Sequence, residues 1–78
     1  FGTAPLLLAA ARGHKDMVEF LLSRGARLEE SHTRRSVAAF REQKGESMLK
    51  TALVVLKKVG AQDALSLLKR CMDEPTAV

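Results

Sequence analysis

Tryptophan and tyrosine are absent from this chain, and only three phenylalanines and one cysteine are present. With a single cysteine, Cys71, no disulfide can close within the chain. The partners that a cysteine-based metal site would need are also missing. The absence of a disulfide framework suits a reducing compartment, so an intracellular setting, cytoplasmic or nuclear, is expected. The scarcity of aromatics removes the stacking platforms that common single-stranded nucleic-acid readers use, so nucleic acid is disfavoured as a partner. No apolar run approaches the ~20 residues that span a bilayer. The apolar run at residues 6–11 has no basic segment before it, so it does not read as a secretory leader. There is no starting Met, and the chain is expected to be a piece of something longer.

What is present is small, apolar and helix-forming. Hydrophobic residues make up 46% of the 78 residues, which argues against general disorder. Alanine, leucine and valine dominate, and β-rich runs are few, so the expected class is all-α. The formal net charge of +4 is mild and points only weakly to an acidic partner.

Two short apolar segments organise the chain over residues 2–26. Pro5 suits the first turn of a helix, where its missing N–H costs nothing. Leu6, Leu7, Ala9 and Ala10 then form a short face, and Gly13 ends it. Lys15 and Asp16 lead a second helix whose expected buried stripe is Met17, Val18, Leu21 and Leu22, with Phe20 on the flank. Gly25 stops that helix. Ser36 is a good N-cap for a third helix over 36–43, stopped by Lys44 and Gly45. Residues 46–59 read as the strongest helix, with Met48, Leu49, Ala52, Leu53, Val55, Leu56 and Val59 on its apolar face. After Gly60, Asp63 is expected to cap a last helix over 64–72, on whose apolar face Cys71 lies.

Residues 2–26 resemble an ankyrin repeat, a two-helix unit of about 33 residues. The pattern G-x-T-P-L-H-x-A-A-x-x-G-H followed by V-x-x-L-L-x-x-G-A is met in register. Gly2, Pro5, Leu6, Ala9, Ala10, Gly13, His14, Val18, Leu21, Leu22, Gly25 and Ala26 carry the match. Ala4 replaces the family's Thr, and Leu7 replaces its His. The resemblance implies an ankyrin-type helix–turn–helix repeat over 1–33 with its following loop. A degenerate capping repeat with a terminal helix would occupy 34–73, and a tail 74–78. It also implies that 27–35 form the hairpin loop toward the next unit. Spacing within the second unit is ambiguous. Gly45 follows Gly13 by 32 residues, but Gly60-Ala61 follows Gly25-Ala26 by 35, so an insertion or a longer second helix is expected.

No phosphate loop, nucleophile elbow or paired-carboxylate signature occurs, so no enzyme activity and no cofactor or metal are expected. By resemblance, His14 belongs to the turn rather than to a catalytic site. The resemblance implies a protein-binding scaffold at the C-terminal end of a repeat stack. Its contact positions would be Thr3, Ala11, Arg12 and Arg24, joined by His32, Arg34 and Arg35 from the loop. The arginines would favour a partner with acidic side chains. Two alternatives stand beside this. One is a structural subunit that buries its faces permanently in a larger assembly. The other is a PDZ-ligand tail, with Thr76, Ala77 and Val78 at the required spacing from a terminal carboxylate.

Overall fold

A computed structural model of the chain describes residues 3–73. Among them are five helices and no strand: α1 (Thr3–Ala11), α2 (Lys15–Ser23), α3 (Glu30–Lys44), α4 (Ser47–Val59) and α5 (Gln62–Asp73). The C-terminal segment 74–78, with the expected PDZ-ligand residues, lies outside the described residues.

Three helix ends, those of α1, α2 and α4, are closed by the same local device. At the end of α2, the Ala26 N–H donates to the Leu21 carbonyl and the Gly25 N–H to the Leu22 carbonyl, both at 3.0 Å. This is a Schellman cap, which satisfies carbonyls that the helix end would orphan and requires a left-handed residue. Gly25 supplies it with φ 90°, at no Cβ cost. Gly60 does the same for α4 with φ 78°, and the Ala61 and Gly60 N–H groups bond to Leu56 and Lys57. The α1 end repeats the pattern, with His14 bonded to Ala9 and Gly13 to Ala10. Gly60-Ala61 is therefore the structural counterpart of Gly25-Ala26. The ambiguous spacing resolves as a longer second helix, since α4 has 13 residues where α2 has 9.

The core is one cluster, and α1 lies at its centre, packed against α2, α3 and α4. Five of its residues, Leu6, Leu7, Ala9, Ala10 and Ala11, are buried, so it turns little toward solvent. Its alanines let neighbouring helices approach closely. Leu7, standing where the family has His, is buried too and adds apolar volume in place of a polar bond. Leu49, Ala52 and Leu56 of α4 are fully covered, and Leu68 and Cys71 bring α5 onto the same cluster. Cys71 is buried, as its position on the apolar face of the last helix suggests. Each fully buried leucine contributes on the order of 2 kcal/mol before conformational entropy opposes it.

Three sequence expectations are corrected. α3 begins at Glu30 rather than after Ser36, so Ser36 is a mid-helix residue and no hairpin forms over 27–35. Nothing between Arg27 and Lys44 stops a helix, because the stretch contains no glycine or proline. Glu30 and Arg34 pair at 2.7 Å one turn apart, and Thr33 and Val37, also one turn apart, seat this extension on the core. Met17 is exposed rather than part of the buried stripe, because Val18 and Leu21 set the inward face of α2 and Met17 falls on its flank beside Phe20. Lastly, α5 starts at Gln62, which places Asp63 inside the first turn, where its charge suits the positive helix end.

Candidate functional site

The residues expected to meet a partner are distributed by the fold to two ends of the helix pair. α1 and α2 are joined by a short turn, so they run back to back. Arg12 sits in that turn, whereas Thr3 opens α1 and Arg24 follows α2 at the opposite end. Arg12 and Arg24 thus lie at opposite ends of the pair. Ala11 is 3% exposed and offers no side-chain surface to a partner. Its methyl belongs to the core.

His32, Arg34 and Arg35 stand on the first turns of α3, not on a loop. The helix separates them by angle. Arg34 pairs with Glu30 at 2.7 Å, and the same carboxylate accepts a hydrogen bond from Arg70 of α5 at 2.8 Å. Arg34 is thereby part of a tie between α3 and α5. Farther along α3, the Arg41 guanidinium donates to the Met72 carbonyl, a second tie between the same helices. His32 lies 3.8 Å from the Glu29 carboxylate, and Arg35 is exposed. Arg24 stacks over the Phe20 ring at 5.0 Å, which covers part of that ring with a cation.

A feature that composition did not reveal is the distribution of exposed apolar side chains. Leu8 (37%), Met17 (49%), Phe20 (50%) and Val54 (51%) are the large hydrophobics most exposed among the described residues. Three of the four belong to the α1–α2 unit, and Met17 and Phe20 share one flank of α2 through their i, i+3 spacing. No large hydrophobic of α3 or α5 is exposed in this way, and α5 turns Gln62, Asp63, Ser66, Lys69 and Arg70 to solvent. The expectation that 17 was a core position carried a usable signal.

His14 precedes α2 and makes no side-chain cap bond. It serves the turn through its backbone, whose N–H bonds to Ala9 and whose carbonyl accepts from Val18. An open surface depression runs along residues 13–17 and includes His14, Asp16 and Met17. Among the described residues, no group of three or more His, Cys, Asp or Glu side chains could hold a metal ion. No described helix is long and apolar enough to cross a membrane.

The family model for the ankyrin repeat matches residues 1–32, ending in the first turn of α3. No match to the chain is found among curated proteins or among solved structures.

Proposed function

We propose that the chain, whose residues 1–32 match the ankyrin-repeat family model, is a non-catalytic protein-interaction unit at the C-terminal end of an ankyrin stack. The supporting observation is the asymmetry of its two ends. One end, the flank of the α1–α2 unit, exposes Leu8, Met17 and Phe20. The other end is α5, whose outward residues are polar and whose ties through Glu30 and Arg41 hold it against α3. A repeat array needs a polar outer face on its terminal unit and apolar faces between units. The α1–α2 flank then packs against a preceding repeat, and α3, α4 and α5 together form the seal. A reducing, intracellular setting is compatible with the buried thiol of Cys71.

Partner contacts fall on the exposed cations, in two groups. Arg24, His32 and Arg35 form the group near the α2–α3 connection, with Thr3 on the adjacent helix start. Arg12 forms a separate contact at the α1–α2 turn, and Arg34 contributes only where it leaves Glu30. Acidic side chains on the partner suit both groups.

The test substitutes the flank. Met17→Glu with Phe20→Glu should shift the urea midpoint of the isolated chain by little, because both side chains are half exposed. In a fusion carrying a regular ankyrin repeat before Phe1, the same pair should split a single unfolding transition into two. A fusion indifferent to the pair would remove the flank from any inter-repeat contact.

A further inference from the structure

The outward face of α4 carries a second feature. Lys50, Val54, Lys57 and Lys58 are spaced i, i+4, i+7 and i+8, and all four are exposed. The helix contains no acidic residue. Among the described residues, none of the three ammonium groups has a carboxylate within ion-pairing distance. Lys57 and Lys58 sit in the last turn, where a cation favours the helix dipole. Lys50 has no such justification. It lies in the first turn, where a cation opposes the dipole. Glu46, four residues earlier, is placed for an i, i+4 pair with it and makes none. The three charges span about 12 Å along the axis, with Val54 between them.

From this arrangement we propose that the outer face of α4 docks an acidic amphipathic helix of a protein partner, its carboxylates meeting Lys50, Lys57 and Lys58 and one apolar side chain meeting Val54. Its side chains are a different set from the arginines of the α2 and α3 groups. Charge complementarity selects an acidic partner, and the remaining chemistry selects its class. A membrane-surface helix inserts a broad apolar face, but that face of α4 (Leu49, Ala52, Leu56) is already buried in the core. Single-stranded nucleic acid binds on aromatic platforms, and α4 has none. Arginine, the usual bidentate reader of phosphate and of guanine edges, is absent from α4 as well. Single ammonium charges one and two turns apart match carboxylates at similar spacing on a facing helix.

The probe is a synthetic glutamate-rich helical peptide with one central leucine, titrated into the full 78-residue chain at low salt. Amide resonances should move mainly at residues 50, 54, 57 and 58. Lys50→Gln, Lys57→Gln and Lys58→Gln together should weaken binding about tenfold, as three exposed ion pairs of modest strength are lost. Lys50→Gln alone should weaken binding about twofold while leaving the urea midpoint nearly unchanged, because Lys50 is exposed and forms no ion pair with Glu46. This separates a binding effect from a folding effect. Resonance changes confined to α3, or equal affinity of the triple variant, would overturn the proposal. So would tighter binding of duplex DNA or of phosphatidylserine vesicles through the same three lysines.

Discussion

Thr33 is the residue that most clearly does not follow the chemistry of its surroundings. It is fully buried, and its hydroxyl oxygen has no hydrogen-bond partner. A buried hydroxyl without a partner costs about 1–3 kcal/mol relative to its hydrated state. Thr33→Val keeps the shape and removes that cost, so it should raise stability by about 1 kcal/mol, read as a higher urea midpoint at unchanged slope. Leu68, equally buried, behaves in the opposite sense. Leu68→Ala should cost about 2–5 kcal/mol, since a chain of this size has no slack to fill the cavity. Thermal unfolding followed by circular dichroism reads both. At this scale the sequence was a good guide for the regular positions. Leu6, Ala9, Ala10, Val18, Leu21 and Ala26 are buried where the repeat pattern places them. It was a poor guide for Met17, whose hydrophobicity reports a face that the chain itself leaves uncovered.

The element that departs most from expectation is α3. Its first six residues, 30–35, are charged and polar, and their composition alone does not distinguish a solvated loop from a helix start. Two long-range facts decide it: the contact of Thr33 and Val37 with the core, and the bridge from Glu30 to Arg70 of α5. Neither is local; the local signals were the lack of glycine and proline over 27–44 and the i, i+4 spacing of Glu30 with Arg34, which permit a helix there without requiring one. The ends of α1 to α4 were legible because their cause is local, a glycine able to adopt positive φ, followed at the ends of α2 and α4 by an alanine whose N–H bonds back to the preceding turn. Arg35→Pro distinguishes a helix beginning at Glu30 from one beginning at Ser36. Before a Ser36 start, proline would be tolerated. Inside α3 it removes a helical hydrogen bond and should cost about 3 kcal/mol or more. Because Arg35 is exposed, the loss would be of backbone rather than of side-chain packing. An unchanged melting temperature would place the helix start after Arg35.

For the whole molecule, the described residues form two helix pairs, α1–α2 and the longer α3–α4, closed by α5. Two ties between α3 and α5, through Glu30 and Arg41, keep that closure in place. The exposed one should contribute only a few tenths of a kcal/mol, so most of the hold on α5 comes from Ala64, Leu68 and Cys71 in the core. The two sides differ in polarity: the α1–α2 unit exposes Leu8, Met17 and Phe20, and α5 turns polar side chains to solvent. Under the proposed reading, a preceding repeat covers the first and nothing stacks on the second. Of the seven residues expected from sequence to bind a partner, the fold buries Ala11, separates Arg12 from Arg24 and engages Arg34 with Glu30. The decisive measurement is urea unfolding of two fusions, each adding the same regular ankyrin repeat, one before Phe1 and one after Val78. The upstream fusion should unfold in a single transition at a clearly higher midpoint than the chain alone. The downstream fusion should leave the midpoint of the chain where it was. Equal stabilisation from both sides, or stabilisation only from the downstream repeat, would contradict a chain that ends a stack.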